Sequence, residues 1–359
     1  MQTLGTHFEE LLNTIRPPAD RLQAAQDLPP KVRDFLESHK EFKTVHPHSR
    51  LAGSYGQDMS VGDVKDVDFL IRVDGDPEEN QPEAKRLIQD LRTALDDLPE
   101  ALGWEGWAGV DIARARRSVH VYIRGRDFHL DVVPCIAPDG FDAALYVPDR
   151  GFNKWVASHP LGFIKLLSEL NRDHGNKVRP LGKLLKHFRN YQMKTRQPKS
   201  YWLGVLLVHH VQDGLDTSQP LAVLFRDLLK AIYNQYASLL PRTDEATPNI
   251  PDPMLGHNIS RNWSRQHFET FMRRVDEGRR WATNALEAED RDTAIGWWQR
   301  VFGAEYFPSD VSEAIKRSAA TALPGRSFVG SSGLVTATMP EARLSTPTQP
   351  TTFHGTTGQ

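Results

Sequence analysis

The chain has 359 residues, 39% of them hydrophobic and 25% charged, which allows a sizeable core in about two domains and excludes wholesale disorder. Its 44 Lys+Arg against 46 Asp+Glu leave a formal charge of −2. The single cysteine, Cys135, excludes an internal disulfide framework and a multi-cysteine zinc site. No apolar run reaches the ~20 residues of a transmembrane helix, and the first residues show no basic stretch ahead of an apolar core. A cytoplasmic protein with no membrane contact is expected. In the first 45 residues, Phe8, Leu11, Leu12 and Ile15 fall at helical spacing, Pro17–Pro18 punctuates, and Val32, Phe35 and Leu36 resume the pattern. The texture changes at Ser49. Val67, Phe69, Ile71 and Val73 alternate as one face of a strand, which leaves Asp66 and Asp68 together on the other. Residues 83–98 read as an amphipathic helix with Leu87, Leu91, Leu95 and Leu98 along its stripe. Strands are expected at Ser118–Arg124 and Phe128–Val133.

From about Pro160 the pattern turns helical. Phe163, Leu166, Leu167 and Leu170 form one stripe, and Leu181, Leu184, Leu185, Phe188 and Tyr191 form the next, opened by Pro180. Further helices are expected at 201–213, 220–239, 261–289 and 291–302. The last 34 residues, 326–359, hold 19 Ser/Thr/Pro/Gly and three charges, too little apolar surface to offset chain entropy, so a disordered tail is expected.

The chemistry is concentrated in two segments. Gly53–Ser54 suits a tight turn whose amides and hydroxyl can approach a polyphosphate. Asp66 and Asp68, at i and i+2 on a strand, point the same way and suit two Mg²⁺ ions, with Mn²⁺ as an alternative. An in-line displacement at phosphorus asks for a third carboxylate. Asp131, on the otherwise apolar strand Phe128–Val133, is the candidate, because an isolated carboxylate there needs a partner or a metal. Each feature alone is commonly a turn or a solvated strand end; in this order they form a specific constellation. His129 shares the face of Asp131. His209–His210, Trp281 and Trp297–Trp298 read as helix packing, and nothing marks Cys135 as a nucleophile.

Gly53-Ser54-Tyr55, Asp66-Val67-Asp68 and His129-Leu130-Asp131-Val132-Val133-Pro134 resemble the DNA polymerase β-like nucleotidyltransferases. Within that superfamily the chain is similar to the bacterial CD-NTases, relatives of cyclic GMP-AMP synthase and oligoadenylate synthase that make cyclic oligonucleotides in antiphage (CBASS) signalling. The similarity runs on through Val178–Arg189, Lys199-Ser-Tyr-Trp-Leu203, Pro251-Asp-Pro253, Asn258, Trp263 and Phe302-Gly303, so it covers roughly residues 45–310. Asp58 and Met59 stand where the family commonly has Gly-Thr, and Gly204 where an acidic residue is common. No Cys/His cluster resembles the zinc thumb of the animal DNA sensor, so activation by DNA is not expected.

The resemblance implies an α+β fold: a catalytic domain with N-terminal helices over 1–159, a mixed sheet flanked by helices, then a helical domain over 160–325 resembling that of oligoadenylate synthase. The active site is expected in the cleft between them. It implies metal binding by Asp66, Asp68 and Asp131, and nucleotide binding by Gly53 and Ser54, by Lys186 with Ser200 at the triphosphate, and by Tyr201 stacked on a base. Lys183 and Arg189 fit a solvated basic face equally well. The substrates implied are nucleoside triphosphates (ATP and/or GTP, with pyrimidine nucleotides open) and the product a cyclic di- or trinucleotide. Transfer to a tRNA 3′ end, a protein or an aminoglycoside is the alternative within the superfamily, and a non-catalytic nucleotide-binding scaffold the alternative outside it. Residues 58–79 carry a local charge of −6 and residues 172–199 one of +8; a nucleotide between two opposed patches fits this better than a long nucleic acid. The tail is a candidate contact for regulatory or effector proteins.

Overall fold

A computed structural model describes residues 1–62, 66–103, 110–123, 128–193, 198–242, 244, 246–312 and the residue pairs 328–329, 335–336 and 346–347. In the unit Met1–Ser309, a seven-stranded mixed sheet is built around β2 (Asp66–Val73) and β5 (Phe128–Ile136), the one parallel pair. β1 (Ser49–Leu51) flanks β2, while β4 (Val119–Ile123) and then β3 (Val110–Arg114) extend the sheet beyond β5. The hairpin β6 (Leu145–Asp149) and β7 (Lys154–Ser158) joins at the far end of β5, where Ile136 pairs with Tyr146.

The two faces of this sheet differ. One carries the alternating apolar residues Val67, Phe69, Ile71, Leu130, Val132, Val119 and Val121. They pack against α2 (Ala19–Ser38) through Leu28, Val32 and Leu36, and against α4 (Ala84–Asp96) and the short α5 (Leu98–Ala101) through Leu87, Ile88, Leu91, Leu95 and Leu98. Burying such side chains contributes roughly 1.5–3 kcal/mol each. On the other face, Leu70 and Cys135 join Ala52, Phe141, Leu145 and Val147 in a small core that covers only the distal half. The proximal half is polar, and it carries the site.

The third core is helical. It comprises α6 (Pro160–Asp173), α7 (Val178–Gln192), α8 (Ser200–Gln212), α9 (Leu221–Tyr236), α10 (Arg265–Glu287) and α11 (Arg291–Phe302). Ser264 and Asp290 cap α10 and α11 by accepting from the amides of His267 and Thr293. Although α1 (Gly5–Thr14) opens the sheet half of the chain, it contributes Phe8 and Leu11 to this helical core. Phe8 meets Trp298, Phe302 and Phe307 edge-on, with centroids 4.9, 5.9 and 5.5 Å away. The motif residues near 251–263 are structural too. Asp252 accepts from the amides of Met254 and Leu255, Asn258 from those of Ile250 and Ser260, and Trp263 packs on Trp202. Gly204 lets α8 approach α6, since a Cβ there would lie 3.3 Å from the Phe163 ring.

In the second unit, Asp310–Gln359, the pairs Phe328–Val329, Val335–Thr336 and Thr346–Pro347 form a small antiparallel sheet. The expectation of a disordered tail over 326–359 otherwise lies outside the described residues.

Candidate active site

Alternate residues of a strand share a face, and the register of three adjacent strands turns this into two rows. Asp66 of β2 is level with His129 of β5, which is level with Tyr122 of β4; Asp68 is level with Asp131, which is level with His120. The three predicted carboxylates therefore share one polar face. The histidine beside each row was legible only in part. His129 follows from its spacing to Asp131, whereas placing His120 and Tyr122 requires the β4–β5 register, which no local pattern encodes.

The carboxylates are short of positive charge. Burial, and then the charge of Asp66, push the Asp68 carboxyl up to about 6. Burial, then Asp68 and Asp66, push Asp131 up to about 7. His120 Nε2 lies 3.0 Å and His129 Nε2 3.4 Å from Oδ1 of Asp131. Neither is aligned as a donor, so this buried oxygen accepts no hydrogen bond among the described residues. The other nitrogen of His120, Nδ1, is 2.9 Å from the Tyr122 hydroxyl, and the His129 ring lies 4.9 Å from that of His120 and 4.8 Å from that of Tyr122. Burial and the neighbouring His129 hold the His120 imidazole below its usual range, with Asp66 opposing them.

The loop after β1 closes over this face. Ala52 donates its amide to the Asp68 carbonyl (2.9 Å), and the chain turns into the short helix α3 (Gly53–Gly56). Gly53 has φ +62, and a Cβ there would lie 1.8 Å from Oδ2 of Asp68. Backbone conformation and close approach both demand glycine. The hydroxyls of Ser54 and Ser60 are 3.3 Å apart.

Helix α7 holds the loop from the other side. The Met59 side chain is buried in the helical core over Gly182, where a Cβ would lie 2.5 Å from Cε of Met59. Lys186 Nζ donates to the Met59 carbonyl (3.0 Å), and Lys183 Nζ pairs with Oδ1 of Asp58 (3.0 Å). The two positions that depart from the family's Gly-Thr are thus the loop's anchors on α7. Lys186 is 2% exposed and Arg189 3%, so a solvated basic face does not describe them. Burial, then Arg189 and Lys183, lower the Lys186 ammonium to about 7, against the pull of Asp66.

Arg189 donates to the Pro198 carbonyl and to Oγ of Ser200 (3.0 Å), the first residue of α8. Tyr201 donates its hydroxyl to Oδ2 of Asp252 (2.8 Å) and packs edge-on against Phe163, 5.0 Å between centroids. Burial and Asp252 raise its phenol well above the usual range. Gly53, Asp66, Asp68 and Asp131 therefore meet directly, Lys186 reaches their loop from α7, and Ser200 joins through Arg189, whereas the Tyr201 hydroxyl is tied to Asp252. Cys135 is fully buried, and burial pushes its thiol up to about 12, so it offers no nucleophile. No helix among the described residues is long and apolar enough to cross a membrane.

Comparisons with known proteins agree on what this face belongs to. Residues 1–171 match the Second Messenger Oligonucleotide or Dinucleotide Synthetase domain. The chain is 29% identical over 333 residues to a cyclic AMP-AMP-AMP synthase of Acinetobacter sp. (strain ATCC 27244 / 9458), covering 89% of this chain and 90% of that protein. The fold is that of CdnC from E. coli MS115-1, solved in complex with HORMA-deltaN (TM-score 0.64, 17% identity, 85% of this chain and 98% of that one). It is equally that of CdnG from Bradyrhizobium diazoefficiens, a CD-NTase solved in complex with GTP (TM-score 0.64, 16% identity, 87% and 97%). The match to the synthetase domain spans the carboxylate face and the similarity continues through the helices, so the chain is similar over nearly its whole length to a cyclic-oligonucleotide synthase and has the fold of the CD-NTases.

Proposed function

We propose that the protein joins nucleoside triphosphates into a cyclic oligonucleotide second messenger in bacterial antiphage signalling, with ATP as the substrate and cyclic tri-adenylate as the leading product. The observation that carries this reading is the convergence of Asp66, Asp68 and Asp131 on one sheet face, in a chain similar over nearly its whole length to a cyclic AMP-AMP-AMP synthase. The residues fit two Mg²⁺ ions, with Mn²⁺ as the substitute. They are carboxylates on one face, where burial and the neighbouring carboxylates raise Asp68 and Asp131, and Asp131 offers a buried oxygen without a donor among the described residues. When bound, such ions neutralise triphosphate charge and lower the pKa of an attacking hydroxyl. Asp66 and Asp68 serve the donor's phosphates, and Asp131 serves the acceptor side. The turn at Gly53–Ser54 receives the terminal phosphates, the Lys186 ammonium adds positive charge beside that turn, and Arg189 orients the Ser200 hydroxyl toward the same group. The ring of Tyr201, fixed by Asp252, is the surface for stacking a base. A ribose hydroxyl oxygen bonds to the α-phosphorus as the bond to pyrophosphate breaks; repetition and a final intramolecular attack close the ring.

The test is incubation of the purified protein with labelled ATP, GTP, CTP and UTP and Mg²⁺ or Mn²⁺, followed by phosphatase, nuclease mapping and mass spectrometry. The expected outcome is a phosphatase-resistant, adenine-containing cyclic product that is absent with Asp66→Asn/Asp68→Asn. Transfer of label to tRNA, protein or an aminoglycoside instead would establish the other-acceptor reading. A protein partner of the kind CdnC is seen with belongs to the same proposal, and the Thr/Pro/Gly-rich end is its candidate contact. Removal of residues 330–359 should then reduce partner binding.

A further inference from the structure

Beside the catalytic carboxylates stands a second donor set of different chemistry. One ring nitrogen of His120, one of His129 and a carboxylate oxygen of Asp131 all lie within 4.8 Å of one another. The two imidazole nitrogens are 3.0 and 3.4 Å from the same Asp131 oxygen. Atoms bound about 2.1 Å from one ion at tetrahedral angles lie about 3.4 Å apart, so both distances to Asp131 suit ligands that share a cation. A histidine–carboxylate hydrogen bond would place an N–H on line with the oxygen, and here that oxygen is buried and accepts none. The Tyr122 hydroxyl at Nδ1 of His120 is the outer partner that fixes a ligating imidazole, and the His129 ring is held against both neighbouring rings. Two imidazoles and one carboxylate with open positions select transition metals over Mg²⁺, which takes oxygen ligands.

We propose that His120, His129 and Asp131 form a binding site for a divalent transition ion of the Zn²⁺ class, separate in chemistry from the Mg²⁺ carboxylates but sharing Asp131 with them. The site itself stands on the geometry of the cluster. Its consequence rests on the proposed function: an ion held by the histidines takes Asp131 away from synthesis, which makes Zn²⁺ a competitor of Mg²⁺ and the site a metal-sensitive brake.

The probes are Zn²⁺ and Co²⁺ with the full-length protein. X-ray absorption of the Zn²⁺-loaded wild-type protein should show imidazole scattering from two histidines, and Co²⁺ should give the intense visible bands of a low-coordinate site. His120→Gln and His129→Gln, checked for folding by circular dichroism, should each weaken Co²⁺ binding by at least about 10-fold. An oxygen-only shell around zinc in the wild-type protein, a measurement needing no variant, overturns the proposal, as does unchanged Co²⁺ affinity in the folded double variant. The two readings fail separately. Histidine-bound zinc without any cyclic product leaves the metal site standing and removes the synthase reading; cyclic product from a protein whose zinc has no histidine ligands does the reverse.

Discussion

The sheet face and helix α7 both bury charge, and they treat it in opposite ways. On α7, Lys186 and Arg189 are almost wholly buried, and each donates to backbone carbonyls, Met59 for Lys186 and Pro198 for Arg189. On the sheet, Asp66, Asp68 and Asp131 crowd together; burial and the neighbouring carboxylates raise the Asp68 and Asp131 carboxyls, and a buried Asp131 oxygen is left without a donor among the described residues. On the helix the buried cations find acceptors within the chain, whereas the Asp131 oxygen finds no donor among the described residues and would be served by the proposed cations. A buried charge whose hydrogen bonds are satisfied positions other groups; one left unpaired beside other carboxylates in a polar face is a candidate binding site.

The sharpest way to break this contrast is to neutralise the sheet. Asp66→Asn, Asp68→Asn or Asp131→Asn should each lower cyclic product formation by at least about 100-fold, while thermal denaturation shows folding intact. Activity surviving in all three would remove the distinction. Next in size is the turn. Gly53→Ala adds a Cβ where Asp68 already sits, and should cost about 1–3 kcal/mol of stability in urea unfolding along with most nucleotide binding.

On the helix the order of effects should reverse. Arg189→Met strands the Pro198 carbonyl and the Ser200 hydroxyl, so stability should fall by about 2–4 kcal/mol. Lys186→Met should cost only about 1–2 kcal/mol but raise the KM for ATP. A Lys186→Met protein with unchanged KM would make Lys186 pure scaffold. Smallest is the half-exposed pair Asp58–Lys183, where Asp58→Asn should change stability by less than about 1 kcal/mol.

The contrast also has a pH signature. The folded carboxyls of Asp68 and Asp131, at about 6 and about 7, sit above the ~3.9 of an unfolded aspartate. Their contribution to stability is thus fully present below about pH 4 and is lost as pH rises through 6 to 7. The metal-free wild-type protein should lose Tm relative to Asp131→Asn between pH 5 and 8. Mg²⁺ with a non-hydrolysable ATP analogue should restore more at pH 8 than at pH 6.

What the sequence revealed follows from which interactions are local. An Asp-x-Asp opening an apolar strand and a lone Asp on another are visible because carboxylates in such strands need a reason, and the amphipathic stripes of α4, α6 and α7 follow from periodicity. β1 is three residues long, and β6 contains Pro148 and Asp149, so neither shows a strand pattern. α2 runs through Pro29–Pro30, which local rules would break, because Leu28, Val32 and Leu36 seat it on the sheet. Spacing alone leaves Arg189 balanced between a solvated face and the site; the approach of Pro198 and Ser200 shows it to be interior. The pairing of His120 with Asp131 depends on strand register between segments whose contact is set by the whole fold.

Calorimetric binding of a non-hydrolysable ATP analogue, with and without Mg²⁺, to the wild-type protein and to Asp66→Asn/Asp68→Asn tests most directly whether the sheet carboxylates hold a metal–nucleotide complex. Binding should strengthen at least about 10-fold with Mg²⁺ in the wild-type protein and show no Mg²⁺ dependence in the variant. Equal affinity in both proteins, with or without Mg²⁺, would contradict that role.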